Sequence, residues 1–415
     1  MAAVLLLGGN AFAGPATADT CATQLLRELG WRIDYAAVPT ARVHGGAPCT
    51  RDSLQQAQAQ GDLRATLPAD PVRAADAQQA LFDEPATLCA YAFRLGDAAR
   101  RAAAQLASNP GYRFSGLQTG WIGFGLDGAR AQGWRRVRSF GRGYVPVAPN
   151  SQALDAFYRG HVRSECGVGR QVAQLATQRE LYGDAGFDAA FSAPELSIGT
   201  FVGLHDTDSI LLGHHAGQFF ADGKGVRTAA LGRQAFMGVP GFIEHAFSKR
   251  FLDDLSNQAE NFIVVDVSAD AAQALANAPG GLAHYDQINR RLWTLAQQVG
   301  APGRRGFERL LFERDPAAMA HLNAREQATV AQMQALLDDP FYRGFIVYVH
   351  PRGVRPIGYH IARLLDRNPR TPFTIDLALH NLHTTLYRRW IDYRLQHCAA
   401  QRTIEPPVDA GGPLS

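Results

Sequence analysis

Apolar residues recur at helical spacing in the segment that follows Cys166, "GVGRQVAQLATQRELYG". The residues that share one face of the helix predicted by this spacing are Val168, Val172, Leu175 and Ala176. We expect that face to pack on a sheet. Ser164 is the expected N-cap, because a serine side chain readily accepts a hydrogen bond from the first turn of a helix. Cys166 would then lie in that first turn.

Short apolar runs of strand length follow the predicted helix. They are rich in β-branched residues and read "LSIGTFVGL", "SILLG" and, at 261–267, "NFIVVDV". A helix followed by a mainly antiparallel sheet is therefore expected. The segment 296–400 alternates helical patterns with one strong strand, "FIVYVH" at 345–350, and forms either a separate domain or a cap on the same sheet.

The hydrophobic pattern and the turn-forming residues divide the chain into regions. Glycine and aromatic residues at 111–150 favour short strands with tight turns, and Pro149 with Asn150 marks a boundary before a new unit. The predicted regions are a signal segment at 1–18, a helical and loop-rich region at 19–150, a central core at 151–295, a C-terminal α/β extension at 296–400 and a disordered tail at 401–415.

The N-terminus predicts export. An apolar run from Ala2 to Leu7 is followed by small-residue sites that end at Ala13 or Ala18, which is typical of a secretory signal that lacks its positively charged start. The alternative is a buried first strand or helix. No other segment has the roughly 18 apolar residues that a membrane-spanning helix requires. The expected location of the mature chain is the periplasm or the medium.

Composition and charge narrow the class of protein. The chain has 415 residues, 46% of them hydrophobic, and a formal net charge of +3. We find no basic block with interleaved aromatic residues, so nucleic acid is not an expected partner. Lys224 and Lys249 are the only lysines.

The five cysteines are Cys21, Cys49, Cys89, Cys166 and Cys398. In an exported protein an odd number leaves at least one thiol outside the disulfides. We expect Cys21 to pair with Cys49 and Cys89 with Cys398, and Cys166 to keep its thiol. In a cytosolic protein all five would be reduced.

Cys166 is the candidate nucleophile. A cysteine in the first turn of a helix lies near the positive end of the helix dipole, which favours the thiolate over the thiol. The alternative is a small apolar side chain in a core. A nucleophile also requires a base, a group that orients the base, and a donor for the oxyanion.

Two segments carry a resemblance to a known family. The first is "SECGVGRQVAQLATQRELYGDAGFDAAF" at 164–191, which ends in a turn with Gly183, Phe187 and Phe191. The second is "VPGFIEHAFSKRFLDDLSNQAENFIVVD" at 239–266, with a Gln-x-Glu-Asn entry to its strand. Both resemble the bacterial spore-coat transglutaminases, protein-glutamine gamma-glutamyltransferases, over about 120 residues.

The resemblance implies a fold and a set of site residues. The fold would be α+β, with a papain-like core in which a nucleophile helix packs on an antiparallel sheet, and with additional helical regions. Cys166 would be the nucleophile and Glu260 an active-site carboxylate, with Glu165 preceding the cysteine. The family places a histidine in a Gly-His-Gly context after the Gln-x-Glu-Asn strand, and this chain departs from that pattern. His284 is the first histidine available there and is the candidate base.

Other candidates are read mainly as structural or surface residues. The segment "FYRGHVR" at 157–163 resembles the start of an ADP-ribosyltransferase strand, but its partner motifs are missing, so Arg159 is interpreted as a surface or ion-pair residue. The spacings of the remaining histidines match no strong metal template. These histidines are His205, His214, His215, His350, His360, His380 and His383.

The predicted function is acyl transfer from a protein glutamine through a cysteine thioester. An amine acceptor would give cross-linking and water would give deamidation. The expected partners are protein substrates, and the reaction requires neither a metal nor a cofactor. The alternatives are a catalytically inactive exported papain-like binding protein and an envelope cysteine peptidase or deamidase.

Overall fold

The protein has an α+β fold, seen in a computed structural model that describes part of the chain. Residues 20–36, 63–87 and 392–401 belong to one compact unit, and the described residues between 88 and 391 belong to a second. The residues described are 20–36, 63–114, 133–137, 143–199, 236–245, 259–300, 302, 305–365, 372–377 and 382–401. The predicted signal segment lies outside them, and so does the predicted tail beyond Gln401.

The first unit combines helices with two parallel strands. Thr20 and Asp70 cap its two N-terminal helices, because each side chain accepts a hydrogen bond from the main chain three residues on. Its elements are α1 (Cys21–Glu28), β1 (Arg32–Ala36), β2 (Arg64–Pro68) and α2 (Pro71–Phe82). Two helices, α3 (Pro85–Ser108) and α13 (Leu382–Gln401), have residues in both units.

The disulfide prediction was wrong for Cys21 and Cys398. These two cysteines are bonded to each other, which excludes both expected pairs, Cys21 with Cys49 and Cys89 with Cys398. Cys89 is disulfide-bonded as well, while Cys49 lies outside the described residues. The prediction that Cys166 keeps its thiol is confirmed.

The second unit begins with short strands and the helix of Cys166. The described parts of the glycine- and aromatic-rich region contain strands as predicted, and a helix starts at the predicted boundary. In chain order these elements are β3 (Tyr112–Phe114), β4 (Trp134–Val137), β5 (Gly143–Pro146), α4 (Asn150–Arg159), β6 (Val162–Ser164), α5 (Cys166–Ala190) and β7 (Ile198–Gly199). Strand β3 pairs with β6 in parallel, so Phe114 lies beside Ser164 at the entrance to α5.

The rest of the second unit alternates strands with helices. In chain order its elements are β8 (Pro240–His245), β9 (Ala259–Val267), α6 (Ala269–Asn277), α7 (Leu282–Ala296), α8 (Gly306–Glu308, continued by a π-helical turn at Arg309–Glu313), α9 (Pro316–Ala320), α10 (Ala324–Leu337), α11 (Pro340–Gly344), β10 (Phe345–Val349), β11 (Gly353–Pro356), α12 (Ile357–Leu365) and β12 (Phe373–Leu377). None of the helices in the described ranges combines the length and the apolar character needed to cross a membrane.

A five-stranded sheet forms the centre of this unit. Its strand order is β11-β10-β9-β8-β12, and every neighbouring pair is antiparallel. The two strongest strand predictions are confirmed: 261–267 lies within β9, and β10 covers the predicted strand at 345–350 except for its last residue, His350. The alternatives for 296–400 were a separate domain or a cap on the sheet, whereas the structure places β10 inside the sheet itself, paired with β9.

Helices cover both faces of the central sheet. On one face α5 packs against β9, and the predicted apolar face of α5 is buried there. Helix α3 passes close to β9, and Gly96 is needed there because a Cβ at that position would come within 2.9 Å of the Val265 carbonyl oxygen. The opposite face carries Phe262 and Val264, which join an apolar cluster with residues of α6, α7, α10, α11 and α12. Alternate residues of β9 thus serve two different cores.

Candidate active site

Glu165, and not Ser164, caps the helix that begins at Cys166. The Glu165 carboxylate accepts hydrogen bonds from the main-chain N–H groups of Gly167 at 2.5 Å and Val168 at 2.8 Å. The Ser164 hydroxyl donates instead to the Tyr112 hydroxyl at 2.8 Å. The predicted N-cap was therefore wrong by one residue. Cys166 is the first residue of α5, in the first turn as expected.

The Cys166 thiol lies between the helix cap and strand β9. Its Sγ is 3.5 Å from the Glu165 carboxylate, to which it donates, and it accepts a hydrogen bond at 3.2 Å from the Asn261 side-chain amide. The residue is partly exposed. Gly167 leaves room for the carboxylate, since a Cβ there would approach a Glu165 oxygen to 2.6 Å. The start of α5 therefore holds a thiol, a carboxylate and an amide together.

Burial raises the pKa of the Cys166 thiol to about 12, and the charges of Glu165 and Glu260 act in the same direction. Hydrogen bonds from the side chain and main chain of Asn261 act against the rise. A shift of three pKa units corresponds to about 4 kcal/mol, whereas a charge at a helix terminus gains about 0.3–1 kcal/mol from the dipole. The dipole alone therefore does not ionise this thiol at neutral pH, and a proton acceptor is required.

Glu260 points away from the thiol. Its side chain is 2% exposed and binds Arg352 Nη1 at 2.5 Å and His360 Nδ1 at 2.8 Å. Because neighbouring residues of a strand point to opposite faces, Glu260 and Asn261 lie on different sides of the sheet. Burial lowers the pKa of His360, and the Glu260 carboxylate partly offsets that effect. Of the predicted site residues, Cys166 and Glu165 are in contact, and Glu260 reaches the thiol only through its charge.

The structure does not bring His284, the predicted base, to Cys166. His284 lies near the start of α7, and its ring packs edge-on against Tyr285, with ring centroids 5.2 Å apart. Helix α7 packs mainly against β12 and α10, whereas α5 packs mainly against β9 and α4. The choice of His284 depended on its proximity to Glu260 along the chain. The long connection between Glu260 and His284 includes helix α6, and His284 follows that helix.

The histidine closest to the helix of Cys166 among the described contacts is His350, which follows β10. Its Cβ would lie 3.0 Å from a Cβ on Gly169, which is one turn beyond Cys166. Its ring stacks on that of Tyr112, with centroids 3.6 Å apart, and its Nδ1 lies 2.8 Å from the Tyr348 hydroxyl. His350 lies in the turn after β10, and the sequence analysis did not select it as a candidate base. The signal that could have identified it is its position directly after the strongest strand of the C-terminal region.

No family model, curated protein or solved structure matches the chain. A functional assignment therefore depends on the chemistry of the residues around Cys166.

Most of the other candidate residues lie outside this site or outside the described chain. Arg159 is exposed and pairs with Asp155 at 2.6 Å, which confirms its interpretation as an ion-pair residue. The side chain of His383 is not described, and the other candidate histidines outside the described residues are His205, His214, His215 and His380. Within the described ranges, no three His, Cys, Asp or Glu side chains are placed to hold a metal ion.

Proposed function

We propose that the protein is a cysteine acyltransferase of the transglutaminase type, built on a papain-like α+β core. The observation that carries the proposal is the contact at the start of α5, where Asn261 donates to the Cys166 thiol from the antiparallel sheet. A nucleophile at a helix start, a carboxylate and an amide donor are three of the parts that acyl transfer requires.

The proposed reaction begins with loss of the thiol proton to a base. The Cys166 sulfur attacks the carbonyl carbon of a glutamine side chain, the C–N bond breaks, and ammonia leaves with a proton returned by the base. The resulting thioester is attacked by a primary amine, which gives a cross-link, or by water, which gives glutamate. The C–S bond then breaks and the thiol is regenerated.

Asn261 is the proposed donor to the oxyanion. The N–H groups of Gly167 and Val168, which start the helix, are already bonded to Glu165. The Asn261 amide lies 3.2 Å from Sγ, so it is within reach of an oxygen on the carbon that the sulfur attacks. One such donor is commonly worth about 10²- to 10³-fold in rate.

We include export in the proposal. The Cys21–Cys398 disulfide supports it, because structural disulfides persist mainly in oxidising compartments. Protein glutamine donors and amine acceptors are then the proposed substrates.

The test is incorporation of a fluorescent primary amine into a glutamine-rich protein, with ammonia release followed in parallel. Incorporation by the purified chain that is lost in Cys166→Ala would support the proposal. Cys166-dependent ammonia release without incorporation would indicate a deamidase, and cleavage of the glutamine-rich protein would indicate a peptidase. No product, with Cys166→Ala folded like the wild type, would overturn the proposal in favour of a binding protein.

A further inference from the structure

We propose that His350 is the proton acceptor for the Cys166 thiol, a role that rests on Cys166 being the nucleophile. The candidate predicted from the sequence, His284, packs elsewhere. His350 is 2% exposed, and its Nε2 has no hydrogen-bond partner among the residues that the structure describes. This nitrogen is buried, has no partner there and lies beside a helix that begins with a cysteine. Buried polar groups are normally hydrogen-bonded, so such a nitrogen requires an explanation.

The first argument is position along α5. Residues three apart on a helix share a face, with their Cβ atoms about 5–6 Å apart, so Gly169 lies below Cys166 on the same face. Side chains on a helix also tilt towards its N-terminus. His350 occupies the space that a side chain on Gly169 would fill, since its Cβ is 3.0 Å from that Cβ position. The base of the His350 side chain therefore packs against the first turn of α5, which begins with Cys166.

The second argument is the register of the sheet. Strand β10 pairs with β9 so that Val347 is opposite Val264 and Tyr348 is opposite Ile263. Continuing that register by two residues sets His350 level with Asn261. Asn261 is the residue whose amide contacts the Cys166 sulfur. The sheet and the helix therefore locate His350 independently beside the same thiol.

The third argument is the orientation of the ring. Nδ1 lies 2.8 Å from the Tyr348 hydroxyl, while Cδ2, the atom next to Nε2, lies 3.7 Å from the Gly169 Cβ position. The side of the ring that carries Cδ2, rather than the side that carries Nδ1, is thus the nearer to α5. Stacking on Tyr112 fixes the plane of the ring. A hydroxyl that accepts from Nδ1–H leaves the lone pair on Nε2, which is the tautomer a base requires.

Glu165 is the competing acceptor, since the thiol donates to it in the structure. Its two oxygens, however, already accept from Gly167 and Val168, so a proton there would weaken the helix cap. The titratable groups in contact with His350 are Tyr112 on β3 and Tyr348 on β10. The start of α5, against which His350 packs, carries the charged or titratable groups of Cys166, Glu165 and Arg170. Burial lowers the pKa of His350 to about 4, although a hydrogen bond with the main chain of Tyr112 acts in the opposite direction, so the ring is neutral and able to accept a proton at neutral pH.

The proposed step conserves atoms and charge. The thiol S–H, which donates to Glu165, rotates to point towards His350. The proton then moves to Nε2, and a thiolate–imidazolium pair forms. The thiolate attacks the carboxamide carbon, and the imidazolium gives its proton to the departing nitrogen, which leaves as ammonia. Catalytic hydrogen bonds in ligand-free enzymes commonly shorten only when the substrate binds.

The test measures the rate of Cys166 alkylation by iodoacetamide from pH 5 to 10, without any substrate. Since the ring is neutral above about pH 4, transfer of the thiol proton to Nε2 as the sulfur attacks makes that rate nearly independent of pH until the free thiolate takes over. We expect such a plateau in the wild type. We expect His350→Gln to remove it, with the rate rising about tenfold per pH unit and lying about 10²- to 10⁴-fold lower at pH 7. His321→Gln, an exposed histidine distant in sequence, is the matched control and should keep the plateau.

A second variant covers the case in which His350→Gln does not fold. Tyr348→Phe keeps the ring packing but removes the partner of Nδ1, and we expect it to slow alkylation about tenfold within the plateau. Unchanged alkylation in a folded His350→Gln, or in Tyr348→Phe where His350→Gln is unfolded, would overturn the inference. Because alkylation requires no acyl donor, a lost plateau without amine incorporation would retain this role for His350 and reject only the proposed function.

Discussion

Replacing Glu165 by glutamine tests how charge at the start of α5 controls the Cys166 thiol. The Sγ–Oε2 distance is 3.5 Å, and two unit charges about 4 Å apart interact by about 4 kcal/mol at an effective dielectric constant of about 20. Burial is the larger cause of the raised pKa, and a carboxylate shares its charge between two oxygens. We therefore expect Glu165→Gln to lower the pKa of the thiol by about one to two units.

A lower pKa increases the thiolate fraction about 10- to 100-fold at pH 7. The assay is the rate of Cys166 alkylation by iodoacetamide, with the labelled peptide identified by mass spectrometry. Glutamine retains only one acceptor oxygen for the N–H groups of Gly167 and Val168, so we also expect a loss of about 1 kcal/mol in the free energy of unfolding. Thermal or urea unfolding measures that cost separately.

Glu180→Gln is the matched control. It removes the same charge from the same helix about 20 Å further along, beyond the Debye length of about 8–10 Å at physiological salt. We expect it to leave the alkylation rate within about twofold of the wild type. Slower alkylation in Glu165→Gln than in this control would refute the reasoning, because it would mean that Glu165 takes the thiol proton itself.

Two further predictions concern Asn261 and Glu195. We expect Asn261→Ala to reduce amine incorporation about 10²- to 10³-fold and also to slow alkylation of Cys166, since the amide lowers the pKa of the thiol; an unchanged incorporation rate would remove Asn261 from the site. Burial acts to raise the pKa of Glu195, but hydrogen bonds from Arg389 and Ser192 outweigh it and hold the pKa at about 2, below its ordinary 4.5. That stabilisation is present above about pH 4.5 and is lost as the pH falls towards 2, so wild type and Glu195→Gln should differ by about 1–3 kcal/mol in urea unfolding at pH 7 and converge near pH 2. A difference in the free energy of unfolding that persists at pH 2 would contradict the assignment of this stabilisation to the Glu195 charge.

The local sequence pattern was sufficient to predict the helices and strands but not the contacts between them. The spacing from Val168 to Ala176 predicted the buried face of α5, and the runs at 261–267 and 345–350 predicted two neighbouring strands. Ser164 has a stronger N-cap preference than glutamate, yet its hydroxyl donates to Tyr112, which is 52 residues away in the chain. No local signal reports such a partner.

The histidines also show that the local sequence pattern does not predict which residues come into contact. His284 was chosen because it follows Glu260 in the sequence, but strand pairing selects neighbours by register and not by order along the chain. His350 lies beside α5 only because β10 pairs with β9 and because the parallel pairing of β3 with β6 brings in Tyr112. Both facts depend on pairings between segments that are tens of residues apart.

Neighbouring residues of β9 have different roles because they lie on opposite faces of the strand. Asn261 contacts the nucleophile on one face, while Glu260 holds Arg352 and His360 on the other. Removing one partner from a buried ion pair costs about 3–5 kcal/mol, because it leaves a charge without compensation. This buried pair lies where β10 turns into β11, so it fixes the end of the sheet that presents Asn261 and His350 to α5. Glu260 therefore acts on the thiol through the position of its neighbours and through its charge, without touching the sulfur.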